Sequence, residues 1–569
     1  MSSSSRSPDR PSIDSPSIHH FSRLYGWVDG WSLLVGAIAL VLAIPVLYVV
    51  SSVFTPVVDV WSHLASTVLP RYVMNSLWLL LGVGLGVIGI GVSTAWLVTL
   101  CRFPGSRVLE WALLLPLAAP AYILAYVYTE LLDYYGIVQT TLREWFGWRS
   151  VTDYWFPDIR SLEGAIAMLV LVLYPYVYML ARVAFLEQSV CTLEASRSLG
   201  CNPWRSFWQV ALPLARPAIA AGTALALMET LSDFGTVQFF GVDTFTTGIY
   251  RTWFGMDERV AASQLAAILM LFVFGLILAE RWFRRQARYY QTSNRNQVLP
   301  RYELWGFRAT LALLGCSLPV FLGFVLPGLF LLQMSLRNWQ QFLDQRFWSF
   351  AKHSLLLATL TAALGVAIAL LMSYGLRLRP SPSMNLAVRI ASMGYAVPGS
   401  VIAVGILIPL GRFDNAIDGW MQQFFGISTG LLISGTIAAL IFAYLVRFLA
   451  VSLSTVETSL QRIKPSLDDA ARSLGHPPVK VLAQIHAPII SGGLLTALLL
   501  VFVDVMKELP ATLIVRPFNF DTLAVRVYQL ASDERLVEAA APALSIVVVG
   551  ILPVLLLSWQ IRQTRSLQD

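Results

Sequence analysis

Long apolar blocks separated by short polar stretches run along almost the whole chain. A helix that crosses a bilayer needs about 20 predominantly apolar residues in a row. Blocks of that kind stand at 31–54, 76–100, 108–128, 165–185, 213–236 and 261–279, and again at 311–334, 354–375, 390–410, 429–453, 488–509 and 541–559. The pattern predicts an all-α polytopic membrane protein with about 12 transmembrane helices. Several blocks contain proline (Pro116, Pro120, Pro175, Pro217, Pro319, Pro327, Pro398). Membrane helices tolerate it where neighbours re-satisfy the freed carbonyl, so kinked spans are expected. The block at 31–54 is too long for the core of a secretory signal and reads as an uncleaved first span behind a polar, Ser/Pro-rich tail at 1–24.

The polar intervals differ in charge. Residues 281–308 hold Arg281, Arg284, Arg285, Arg288, Arg295, Arg301 and Arg308 against a single acid, Glu303. Short cytoplasmic loops are enriched in Lys and Arg, so this segment is expected in the cytoplasm. The alternation then puts Arg102 and Arg107, the stretch 186–212, Arg377 and Arg379, the stretch 454–487 and both termini on the same side. The opposite loops mix signs, as in Asp257, Glu258 and Arg259 or Asp533, Glu534 and Arg535, and 129–161 is rich in the Trp and Tyr that favour an interface.

Slid against itself, the chain repeats. Ser196 to Gly200 (SRSLG) returns as Ala471 to Gly475 (ARSLG), and at the same offset of 275 Pro213 meets Pro488, Glu229 meets Asp504, Asp233 meets Glu508, Phe245 meets Phe520 and Arg251 meets Arg526. One residue later Asp257-Glu258-Arg259 meets Asp533-Glu534-Arg535; earlier, at an offset of 278, Asn75-Ser76 meets His353-Ser354 and Pro120 meets Pro398. Two copies of one six-helix unit follow, at 25–280 and 309–562, joined by an Arg-rich cytoplasmic linker at 281–308 and ending in a short tail at 563–569. Because six is even, both copies enter the membrane from one side, and a pathway between them is expected.

Composition narrows the function. Of 569 residues, 56% are hydrophobic and 13% charged, with a mean hydropathy of +0.66, which excludes a disordered chain and argues against a soluble enzyme. The net charge of +7 is carried by arginines between apolar blocks and reads as topological, not as a nucleic-acid surface. Four cysteines and six histidines show no metal-ligand spacing, so no metal site is expected. None of the four lysines follows a glycine, so the chain lacks a G-x-x-x-x-G-K-[ST] phosphate cradle, binds no cofactor of its own and must draw energy from a partner or an ion gradient. No nucleophile, base and orienting group recur together, so an enzyme is not expected.

Four acids lie inside apolar blocks. Glu229 and Asp233, and again Asp504 and Glu508, are spaced i, i+4. On a continuous helix each pair shares a face, and ionisable groups at membrane depth are costly and usually functional. Two readings stand: a carboxylate ring on the substrate path that favours a hard cation, or ion pairs with Lys507 and with Arg251 or Arg526 that hold a gate, with Arg516 neutralising part of the charge.

The segment Glu194-Ala195-Ser196-Arg197-Ser198-Leu199-Gly200, followed by Leu212-Pro213, resembles the EAA motif of ABC importer permeases; the second copy is Asp469-Ala470-Ala471-Arg472-Ser473-Leu474-Gly475 with Pro488. Ser196, Val210, Asp469 and Ala487 depart mildly from the pattern. Each stretch reads as a short helix with an acid in its first turn and a terminating glycine. The resemblance implies the type I ABC importer permease fold, with Glu194, Ala195, Gly200, Pro213, Asp469, Ala470, Gly475 and Pro488 coupling the spans to two copies of a separate ATPase subunit. The stretches 228–237, 503–512 and 516–524 are similar to those of ferric-iron importer permeases of the fused two-half type. That likeness implies iron delivered by an extracytoplasmic binding protein to a multi-pass protein of the bacterial inner membrane, working by alternating access. Fused thiamine permeases share the layout. A proton-coupled secondary transporter with Glu229 and Asp504 as carriers accounts for the acids but leaves the duplicated motif without a role.

Overall fold

The computed structural model describes residues 30–187, 202–285 and 301–566. Among the described residues, ten helices are long and apolar enough to cross a membrane, or up to 12 if each of two sharply bent helix pairs is one span. The block expected at 108–128 is one of these pairs, Ser106–Ala118 and Ala121–Phe146, bent by 91° at Pro120; the block at 488–509 belongs to the other, Pro478–Ile489 and Ser491–Lys507, bent by 80°. The block at 390–410 begins as a 3-10 turn, Met393–Ala396, before the Gly399–Phe425 helix.

Three prolines mark wide turns. Phe207–Ala211, Phe321–Val325 and Leu482–His486 are π turns, each ending two residues before Pro213, Pro327 or Pro488. The N–H groups of Leu212, Leu326 and Ala487 reach back five residues, to Phe207, Phe321 and Leu482. A proline ring clashes with the carbonyl four residues before it, and the extra residue in the turn moves that carbonyl aside.

The repeat is visible in the packing. In the first half Leu69–Leu100, Leu162–Glu187 and Leu212–Ser232 pack on one another; Gln345–Leu378, Ile437–Gln461 and Ser491–Lys507 do the same in the second. The first helix of each half crosses to the other. Gly30–Ser52 lies on Pro382–Ser392 and Gly399–Phe425, and the 307–337 arm lies on Ser106–Ala112 and Ala121–Leu132. Leucines such as Leu40, Leu85, Leu271 and Leu311 remain exposed on the outer faces, as the surrounding lipid allows.

The register of the repeat is corrected in one stretch. Thr244 and Thr522 cap the matching helices Phe245–Phe254 and Leu523–Ser532, and Asp257 and Glu534 share the left-handed turn that follows, with φ of 54° and 58°. The offset there is 277–278, so Phe245 matches Leu523, not Phe520, and Arg251 matches Gln529, not Arg526. The second-half loop over 516–521 is longer than its partner, an insertion that a surface connection absorbs at little entropic cost. Among the described residues one feature departs from all-α architecture: Cys101–Arg102 pairs in parallel with Tyr302–Glu303, tying the loop after Leu69–Leu100 to the stretch of chain entering the second half.

Candidate functional site: a charged cavity between the halves

Four interruptions of the helices meet between the halves: at 119–121, at 233–235, at 397–399 and at 508–510. All but that at 397–399 line a cavity of about 140 Å³ whose wall includes Glu229, Asp233, Asp504 and Glu508 together with Arg447, Lys507, Tyr176 and Tyr395. All four acids singled out in the sequence therefore face one space. Each i, i+4 pair does not share a helix face, however, because Leu212–Ser232 stops before Asp233 and Ser491–Lys507 stops before Glu508. Asp233 and Glu508 have extended backbones with ψ of 134° and 122°.

That break gives the second acid of each pair a capping role. Asp233 accepts from the Thr236 and Val237 amides, both at 3.1 Å, and from the Thr236 hydroxyl at 3.0 Å. Glu508 Oε1 accepts from the Ala511 amide at 2.8 Å. Both carboxylates thus meet the unpaired N–H groups opening the next short helix, where negative charge is favoured. Glu229 and Asp504 stay within their helices.

Charge partners differ from the expectation. Lys507 Nζ stands 3.3 Å from Asp504, as anticipated. Arg251 and Arg516 instead hold Asp243 and Asp521 in the loops beyond, while Arg526 lies over the Phe350 ring. The cation at the centre is Arg447, on Ile437–Gln461, which the sequence reading passed over because it sits in an apolar run far from the four acids. Its Nη1 donates to Glu508 Oε2 at 2.7 Å, and its Nη2 stands 3.8 Å from Glu229 Oε2 in the other half. A lone arginine inside an apolar span was the available signal. Among the described residues, no three His, Cys, Asp or Glu side chains gather to hold a metal ion; Asp504 and Glu508 pair with Lys507 and Arg447, and Asp233 and Glu508 cap the helices that follow.

A second site stands at one end of the bundle. Pro465–Ser473 contains Asp469 and Ala470 on its exposed side, while Ala471 is buried. The helix starts a turn earlier than expected, at Pro465, so the acid in its first turn is Asp468 and Asp469 lies further in. It ends on Gly475, whose φ of 74° suits glycine. The Gly475 amide bonds to Arg472 O and the His476 amide to Ala471 O, the paired closure of a helix C-terminus. Leu474, beside it, is 76% exposed.

Arg377, at the end of Gln345–Leu378, anchors this helix. Its guanidinium reaches Asp468 Oδ2 at 2.7 and 3.0 Å and the carbonyls of Leu460 and Ile463, so three elements share one side chain. His486 is buried with Nε2 3.0 Å from Asp468 Oδ1. Pro488 follows the π turn described above, as Pro213 does in the first half. Glu194, Ala195 and Gly200 lie outside the described residues.

Residues 87–288 match the family of binding-protein-dependent transport system inner membrane components. The chain carries a permease domain of that family. Over 539 residues this permease is 26% identical to the Fe(3+)-transport system permease protein FbpB 2 of Haemophilus influenzae, a match spanning 92% of this chain and 97% of the relative. The ferric transport system permease protein FbpB of Actinobacillus pleuropneumoniae is 23% identical across 87% of this chain and 72% of its own. The molybdenum transport system permease protein ModB of Escherichia coli is 28% identical over 204 residues, 35% of this permease but 86% of the relative. One half-sized relative therefore fits a stretch about as long as one repeat, while the fused relatives run the length of both. The permease is a multi-pass inner-membrane component of a transport system.

Proposed function

We propose that this permease is the membrane channel of an ABC importer for ferric iron, powered by two copies of a separate ATPase subunit and loaded by an extracytoplasmic iron-binding protein. The observation that carries the coupling half of this reading is the Pro465–Ser473 helix. It is a short knob closed at its C-terminus by Gly475, with Asp469, Ala470 and Leu474 turned outward, tied by Arg377 to two spans. Its sequence is duplicated at Glu194 to Gly200, which accounts for two ATPase copies. The cargo half is supported by full-length similarity to permeases named for Fe(3+). It is supported also by a path lined by four carboxylates against two bases, since Fe(III) is a hard ion that prefers oxygen.

The chain supplies no energy of its own in this scheme: ATP binds the partner subunits, whose closure draws the two duplicated coupling stretches together. The halves then rock about the cavity between them, opening it outward to the docked binding protein, and hydrolysis returns them inward. Both coupling loops, the Arg-rich linker and both termini face the cytoplasm.

The test is reconstitution of the permease with its ATPase subunits in vesicles. ATP-dependent Fe(III) uptake that requires the loaded binding protein is expected, with thiamine and molybdate not transported. Uptake by the permease alone, driven by a pH gradient, overturns the scheme and establishes the proton-coupled alternative through Glu229 and Asp504.

A further inference from the structure

The two halves are copies, but their contributions to the cavity are unequal. The first half brings Glu229 and Asp233 and no base; the second brings Asp504 and Glu508 together with Lys507 and Arg447. At the position 275 residues before Arg447, the matching helix carries Val172, also on the cavity wall. Arg447 and Lys507 thus break the symmetry of the path, and it is Arg447 that reaches an acid of the first half.

Its two contacts are unequal as well. Toward its own half the pairing is short and enclosed: Arg447 and Glu508 are both nearly buried, 2.7 Å apart, and the other Glu508 oxygen is taken by the Ala511 amide. Space for the pair depends on Gly399, where a Cβ would collide with Arg447 Nη1 and stand 2.7 Å from Glu508 Oε1. Toward the other half the contact is long, 3.8 Å, and Glu229 retains 26% side-chain exposure. A buried charge pair with its remaining valences filled is costly to break, whereas a longer contact to a partly exposed acid is weaker and opens first. Arg447 must therefore stay with Glu508 when the halves separate, and the Glu229 contact is the one that opens.

We propose that Arg447 is a one-sided electrostatic latch: fixed to Glu508 in the second half, it engages Glu229 of the first across the cavity and holds the path shut until the binding protein and ATP pull the halves apart. The latch rests on the importer reading but not on the identity of the cargo. Tyr176 and Tyr395, which line the same cavity from opposite halves, open with it. Arg447 acts as a positioning residue: it sets the balance between closed and open halves and needs no contact with cargo.

The experiment measures ATP hydrolysis by the complete complex in vesicles, with and without binding protein loaded with Fe(III). Glu229→Gln removes the weak arm and leaves the Arg447–Glu508 pair in place, so the variant folds and assembles. Its hydrolysis without binding protein is expected to rise about fivefold or more, the lower range of ordinary coupling between sites, and its stimulation ratio to fall by the same factor. Arg447→Leu should do likewise, Arg447→Lys should restore part of the ratio, and Glu229→Gln with Arg447→Leu should add nothing to Arg447→Leu alone. A Glu229→Gln complex with the wild-type stimulation ratio overturns the latch, whatever Arg447→Leu does to folding. If the wild-type complex itself shows no stimulation by binding protein, it is the importer reading that fails.

Discussion

Among single residues, the acids show how position in a helix decides what a carboxylate does. Glu229 and Asp504 sit inside helices, whereas Asp233 and Glu508, one turn on, fall where the helices have stopped and cap the next ones. Asp233→Ala should therefore cost about 1 kcal/mol, as loss of a cap does, seen as a lower melting temperature in detergent, while Asp233→Asn should retain most of it. Gly399→Ala should cost more, about 1–3 kcal/mol, because the added methyl meets the Arg447–Glu508 pair and not a flexible chain end. In the loop over 147–161 Asp153 accepts from the amides of Arg149 and Ser150, and these bonds hold its carboxyl below the usual range. A depressed folded value means that the contribution is present above the unfolded value, about 3.9, and is lost as pH falls through the folded one. Trp148, stacked on Tyr154 beside it, should keep constant fluorescence from pH 8 to 5 and change only in stronger acid.

For the elements, the coupling helix is the part most open to test. Gly475→Val places a β-branched residue at φ 74°, costing about 1–2 kcal/mol at the helix end. The expected result is a permease that inserts normally but recovers less ATPase subunit on co-purification. Arg377→Gln removes the charge that joins Asp468 to the carbonyls of Leu460 and Ile463. ATP hydrolysis should survive while uptake per ATP falls about fivefold or more, because the helix then moves without carrying the spans. Helix existence and order were legible in the runs of apolar residues, and so were the repeat and the duplicated motif. A kink at Pro120 was legible from the proline but not its size, and the bend between Ile489 and Ser491 was not legible at all, since a run of apolar residues reads alike whether its helix is straight or broken.

In the whole molecule, the first helix of each half packs on the other half, so neither half buries its own surface alone. A permease made as two chains divided near residue 295 should assemble when both are co-expressed, and each half by itself should be degraded. Co-purification of a tagged first half with the second measures this. A result in which one half accumulates alone would contradict the exchange of arms.

Sequence by itself determined the class of molecule: blocks of about 20 apolar residues can be satisfied only by membrane-crossing helices, and a repeat with a duplicated motif demands two like halves. Tertiary structure alone decided how the scarce charges are spent. Arg447 and Glu508 stand 61 positions apart in the chain, and Arg447 and Glu229 further still, yet they meet in one cavity. Apolar patterning is local and survives in a single line of sequence, whereas the pairing of buried charges depends on which helices cross and where they break.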